Sequence, residues 1–347
     1  KGVMVTIPLF FLLVFNSAVA YKKIGEGTDS LFVADRTLAP FGTTSNGDDS
    51  SKAKIVVIFF DMWDYALTFE RRPEFIKMPH LDRFVEESFL ATGALSANRS
   101  TRYAFPSMIS GKHVLWARPI EGDDLGILFA ETQSLVSWRK NPGVFKDMYE
   151  SGYNTAVVAA GYHPYCRLFR SYITECWIDD TNFDYVRRTA LNRIGNVILE
   201  VLRFVPGLNR FVFGEREKHH SHWGLHLHLA FEEQVRKIAS NKHFDFVFVH
   251  WLLPHPPFIR NYKTHEWQFF DEQAHASNYF GNLQALDIAL GTIRGSMMKE
   301  GVWDKSAVIL TADHGYTLSD WPEMVKKVDQ RVPFLVKLPR KSGSFKS

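Results

Sequence analysis

The sequence predicts an α/β domain built on a largely parallel central sheet, and three observations carry that prediction. Apolar runs such as KIVVIFF (residues 54–60) are continuous rather than alternating, as in strands buried on both faces. Segments with helical spacing lie between such runs, so strands and helices alternate along the chain. The composition, 347 residues with 46% apolar and 23% charged, is that of a globular protein and excludes a disordered or fibrous one. A formal charge of +3 gives no reason to expect a nucleic-acid partner.

The amino end is apolar. Residues 3–21, VMVTIPLFFLLVFNSAVAY, form 19 positions without a charge, close to the roughly 20 that span a bilayer core. They are expected to form a membrane helix, giving a segment 1–23. A signal peptide cleaved after Ala18-Val19-Ala20 is the alternative. Lys22 and Lys23 prefer the cytoplasmic side, which runs against an external position for the domain after them. Residues 24–53, rich in Gly, Ser, Thr and Asp, suit a linker, and the catalytic domain is expected over 54–347.

Within that domain KIVVIFF is a strand and MPHLDRFVEESF (78–89) a helix. In ANRSTRYAFPSMISGK (97–112) hydroxyls precede a helical turn that ends at Gly111. GVFKDMYESGY reads as a helix and NTAVVAA as a strand. FDFVFVHWLL is a strand, 272–300 a long helix, and SAVILTA and VPFLVKLP are strands. The stretch 187–213 is Arg-rich with an apolar face and suits either an anionic membrane surface or packing on the domain. Cys166 and Cys176 are the only cysteines. A disulfide between them would close a short loop in an exported domain, and two buried thiols are the alternative.

Ligands gather at the carboxyl ends of strands in such sheets, and chemistry-bearing residues stand there. Asp61 follows the first strand, with Asp64 three positions on, and either can also be a turn former. Asp313 and His314 leave SAVILTA together, which capping explains less easily. Asp61, Asp313 and His314 with a Thr or Ser alkoxide make an oxygen-rich site with one nitrogen. It suits one divalent ion, Zn²⁺ or Mn²⁺ before Ca²⁺ or Mg²⁺. Such an ion would deprotonate a hydroxyl nucleophile and neutralise developing oxyanion charge. His219, His220, His222, His226 and His228 cluster, with His222 and His226 on one helical face, but no carboxylate order accompanies them.

Six of these segments, in this order, resemble the alkaline phosphatase and sulfatase superfamily over residues 54–339. The similarity is greatest to its membrane-anchored branch of lipoteichoic acid synthases and phosphoethanolamine transferases. The resemblance implies an alkaline-phosphatase-like fold with helices on both faces of the sheet. It implies Thr101 as nucleophile, ten residues before Gly111 and five before Pro106, with Ser100 as the alternative. It further implies Asp61, Thr101, Asp313 and His314 as metal ligands, and His255 of LPHPPF against the transferred group as hydrogen-bond donor or acid. His250 is expected beside substrate or in a supporting role. The segment holds no Cys, so the usual formylglycine of sulfatases cannot form. The function implied is a phospho- or sulfo-ester hydrolase or transferase. It would transfer a phosphoglycol or phosphoethanolamine group from an anionic, lipid-linked substrate at an extracytoplasmic membrane surface, the alternatives being a sulfuric or phosphoric monoester hydrolase without lipid acceptor and a catalytically inactive glycan- or lipid-binding relative.

Overall fold

The computed structural model describes residues 52–120, 124–160, 162–178, 208–268, 278–317 and 330–340, with side chains of the helix beginning at Leu208 described from Gly224 onward. The apolar segment 1–23, nearly all of the linker, and the Arg-rich stretch up to 207 lie outside the described residues. Among the described residues no helix is long and apolar enough to cross a membrane.

The central sheet takes β1 (Lys54–Asp61), β2 (Phe89–Leu90), β6 (Thr155–Ala159), β7 (Glu175–Ile178), β8 (Phe246–Pro254), β9 (Ser306–Ala312) and β10 (Phe334–Lys337). Their order is β2-β10-β9-β1-β8-β6-β7. The five strands from β9 to β7 pair in parallel, and β10 runs antiparallel at one side, where β2 completes the edge. The predicted largely parallel α/β sheet is therefore present. A second, antiparallel sheet of β3 (Val114–Ile120), β4 (Asp124–Phe129) and β5 (Leu135–Ser137) was not expected from the sequence. Its outer strands are half exposed and lack the continuous apolar runs that marked the others.

Strand pleating divides the interior into two cores. Val56, Ile58 and Phe60 of β1, with Val247, Val249 and Trp251 of β8, face α1 (Pro79–Glu86), α5 (Leu208–Ser240) and α6 (Asn278–Lys299). Ile55, Val57 and Phe59, with Phe246 and Phe248, face α2 (Thr101–Ser110), α3 (Val144–Glu150), α4 (Tyr165–Leu168) and the small sheet. Phe248 packs its ring against Phe59, Phe105, Phe145 and Tyr165, and each buried aromatic of this kind contributes about 2 to 3 kcal/mol. Gly143 is required where α3 meets α2. Its φ is +50°, and a Cβ there would fall 1.9 Å from the Ile109 carbonyl oxygen. Cys166 of α4 and Cys176 of β7 form a disulfide with Cα atoms 5.7 Å apart.

Of the histidine cluster, the side chains of His219, His220 and His222 lie outside the described residues. His226 is exposed, whereas His228 is buried against the rings of Trp251 and Trp267. Burial pushes the His228 pKa down to about 4. The folded chain thus keeps this ring neutral while the unfolded chain protonates it below about 6.5. Its contribution to stability is complete above pH 6.5 and is lost as pH falls towards 4. Urea midpoints measured from pH 7 to 4 should fall less steeply in His228→Leu than in the parent protein, and an identical slope would contradict this assignment.

Candidate metal centre and nucleophile

The pleat that separates the cores also selects the site. Asp61 follows Phe59 on the α2 side of β1, and His250 follows Phe248 on the same side of β8. Asp313 comes directly after β9, two residues beyond Thr311, so three adjacent strands deliver ligand-type side chains to one place. Oxygens of Asp61 and Asp313 and a ring nitrogen of His250 lie within 4.8 Å of one another, all buried.

His314 joins them. Its Nδ1–H donates to the Gly315 carbonyl at 2.8 Å, so Nε2 carries the lone pair. Nε2 lies 3.4 Å from Asp61 Oδ1, 3.7 Å from Asp313 Oδ2 and 3.3 Å from Thr101 Oγ1. Thr101 is the first residue of α2, after an extended Ser100 that makes no side-chain cap. The four residues expected as ligands thus converge, and Thr101 rather than Ser100 is the hydroxyl that meets them.

Hydrogen bonding leaves one side of each carboxylate open. Asp313 Oδ1 accepts from the backbone N–H of Met62 at 3.2 Å and of His314 at 2.8 Å. Asp313 Oδ2 and Asp61 Oδ1 are buried without a hydrogen-bond partner. Burial, then the Asp313 charge, pushes the Asp61 pKa well up, partly offset by His314. Orphaned anionic oxygens of this kind are costly unless a cation pairs with them. A divalent ion fits this donor set of carboxylates, ring nitrogens of His314 and His250, and a hydroxyl.

The surroundings hold these groups in place. Met62 adopts φ +63°, a left-handed conformation costing about 1 to 2 kcal/mol, and its N–H donates to Asp313. Tyr279 donates to the Met62 carbonyl at 2.9 Å. Asp64 accepts from the N–H groups of Leu67 and Tyr316 at 2.9 and 3.3 Å, so the second Asp of this motif is a turn former.

His255 donates its backbone N–H to the Asp61 carbonyl at 3.2 Å, and Asn282 fixes the loop through the carbonyls of Pro254, His255 and Pro257. Its side chain is held as well. Nδ1–H is committed to the Pro256 carbonyl at 2.6 Å, and burial holds the pKa below the usual value. That bond leaves Nε2 as the ring atom available to exchange a proton with a reacting group. His250 takes the supporting position of its two expected roles. It is fully buried, 4.0 Å from the Phe105 ring centroid and 3.2 Å from the Tyr165 hydroxyl, so it faces the carboxylates from below and has no surface for substrate.

His163 is a site residue that sequence reasoning missed. It is fully buried, donates Nε2–H to the Thr101 carbonyl at 3.1 Å, and burial depresses its pKa to about 3. The signal was the segment YHP just past the strand NTAVVAA, the same strand-end position that marks Asp61 and Asp313.

Two carboxylates that repel each other without a cation and bind one together make a signed prediction. Asp61→Asn should melt higher than the parent protein in EDTA, and should lose the stabilisation that Zn²⁺ or Mn²⁺ gives the parent, about 2.7 kcal/mol at a hundredfold excess over Kd. Thermal melts with and without metal decide. A lower melting temperature for Asp61→Asn in EDTA, or an undiminished metal response, would contradict the pairing.

Comparison with known proteins bears on the fold and the family. No curated protein matches the chain. Among solved structures, Ps i-CgsB in complex with k-i-k-neocarrahexaose is similar at 14% identity and TM-score 0.53, over 83% of this chain and 66% of that one. The phosphonate monoester hydrolase SpPMH from Silicibacter pomeroyi is similar at 12% identity and TM-score 0.50, over 83% of this chain and 68% of that one. The chain thus spans about two thirds of the length of these structures, and at such identities the likeness is one of fold. A model of the sulfatase family matches residues 54–344, from the first strand of the central sheet to beyond the last. With that match covering most of the chain, it belongs to the sulfatase family, within the alkaline phosphatase and sulfatase superfamily.

Proposed function

We propose that this protein breaks phosphate esters, with sulfate esters as the alternative class, through a covalent intermediate on Thr101, and passes the group to water or an acceptor alcohol. One observation carries the reading: the Thr101 hydroxyl sits 3.3 Å from His314 Nε2, beside two carboxylate oxygens that have no other partner. The absence of Cys from residues 97–112 leaves a hydroxyl as the nucleophile.

Asp61, Asp313 and His314, with Thr101, would hold a divalent ion, which lowers a hydroxyl pKa and draws charge from ester oxygens. Thr101 Oγ1 forms a bond to phosphorus as the bond to the leaving alkoxide breaks, and the alkoxide departs with the proton that Thr101 gives up. The backbone N–H groups at the start of α2 favour the anion carried on its first residue. His163 fixes the Thr101 backbone. His255 then takes a proton from water or an alcohol, whose oxygen attacks phosphorus as the bond to Thr101 Oγ1 breaks, and the proton held on His255 passes to Thr101 to restore its hydroxyl.

Transfer from a lipid at an extracytoplasmic membrane surface is the context we favour. The uncharged stretch at residues 3–21 supports it, as does a disulfide, which persists in oxidising compartments. A monoester hydrolase without a lipid acceptor is the second reading, favoured by the likeness to a phosphonate monoester hydrolase. An inactive glycan- or lipid-binding relative would have no use for two unpaired carboxylates beside a hydroxyl.

Quenched reactions with aryl phosphodiesters, phosphomonoesters and sulfates should leave an adduct on the peptide that contains Thr101. Thr101→Ala should lower turnover about 10³-fold or more. Phospholipid vesicles added to the assay distinguish transfer from hydrolysis by the product. An unchanged rate in Thr101→Ala would overturn the proposal.

A further inference from the structure

The centre has a charge balance that Thr101 and its partners do not close. Asp61 and Asp313 bring two negative charges, and a divalent ion would offset both, so ionising Thr101 leaves the group one negative charge. An anionic ester is repelled from such a centre unless a fixed cation stands beside it.

Arg102 stands in that position. It follows Thr101 in the first turn of α2 and is half-buried, where Thr101, Asp61, Asp313, His163 and His250 are all buried. Its guanidinium is hydrogen-bonded to the side chain of Tyr162. The charge of the same arginine reaches His163, whose ring holds the Thr101 carbonyl at 3.1 Å. Tyr162 is placed by its N–H, which donates to the Ala160 carbonyl at 2.7 Å, and by its ring, 4.9 Å from that of His163 between centroids. The charges of Asp61 and Asp313 both act on the Tyr162 hydroxyl, and this side chain too is half-buried. Arginine and tyrosine therefore form a rim between the buried carboxylates and solvent, on the side of Thr101.

We infer that Arg102, steadied by Tyr162, grips a non-bridging oxygen of the ester that Thr101 attacks. In the bond between them the guanidinium donates and the phenol oxygen accepts. A guanidinium carries five N–H donors, so that bond does not exhaust it, and the phenol keeps a hydrogen to give to the same anion. The inference rests on the reading of Thr101 as nucleophile. It adds a binding residue, Arg102, and a positioning residue, Tyr162, and it narrows the substrate class: the reacting group must carry an anionic oxygen on phosphorus or sulfur, which excludes neutral carboxyl esters.

The test is titration calorimetry of Mn²⁺, and then of inorganic phosphate, into the full chain and its variants, beside the kinetics of an aryl phosphodiester. Arg102→Gln should weaken phosphate binding to the Mn²⁺-loaded protein about 10- to 100-fold, the loss expected for hydrogen bonds to a charged group. Mn²⁺ should bind that variant as tightly as the parent or more tightly, because a positive charge beside its site has gone. Arg102→Lys should recover part of the phosphate affinity, since it restores the charge without the planar fork. Tyr162→Phe should weaken phosphate about 3- to 10-fold and raise KM for the diester more than it lowers kcat. Unchanged phosphate binding in Arg102→Gln would overturn the inference and leave the Thr101 reading standing. Loss of Mn²⁺ binding together with phosphate would overturn it as well, since that marks a merely structural role. A parent protein that neither binds phosphate nor forms an adduct on Thr101 would overturn both readings.

Discussion

Asp61 and Asp313 approach each other in a buried space where hydrogen bonds satisfy only part of their oxygens, and much of the surrounding structure answers to that arrangement. Two carboxylates placed so would ordinarily protonate or swell apart. The fold instead holds them open towards a common point, with an imidazole lone pair and a hydroxyl directed to the same place. The stability given up in this way is recovered when a cation enters, which makes the centre a binding site by construction.

Delivery of these groups is a property of the sheet. Three neighbouring parallel strands end together, and the two-residue period of the pleat sends Asp61, His250 and Asp313 to the α2 side. Regular backbone alone does not complete the geometry. The strained Met62 turns one N–H onto Asp313, Tyr279 ties down the Met62 carbonyl, and Asn282 gathers three carbonyls of the His255 loop. The opposite side of the same strands builds the apolar core against α5 and α6.

Much of this was legible because buried parallel strands write themselves as continuous apolar runs. Lys54–Asp61, Phe246–Pro254 and Ser306–Ala312 were found that way, and the polar residue at each end was then conspicuous. Thr101 required the spacing to Gly111 and Pro106 as well, since Ser100 beside it carries the same chemistry. Only the structure shows which hydroxyl meets His314. The antiparallel sheet of 114–137 escaped because half-exposed strands lack a strong pattern. The proton positions on His255 could not be read either, because they depend on a carbonyl one residue away and on burial. His163 was hidden for a different reason: it bonds backbone rather than another conspicuous side chain.

Membrane attachment, the transferred group and its acceptor rest on separate grounds from the centre itself, and the centre can be tested alone. The most direct measurement is the anomalous scattering of a crystal of the protein grown with Zn²⁺ or Mn²⁺. The account predicts a single strong peak within about 2.0 to 2.4 Å of Asp61, Asp313, His314 Nε2 and Thr101 Oγ1. An ion bound elsewhere, or Asp61 and Asp313 sharing a proton with no ion between them at saturating metal, would contradict it.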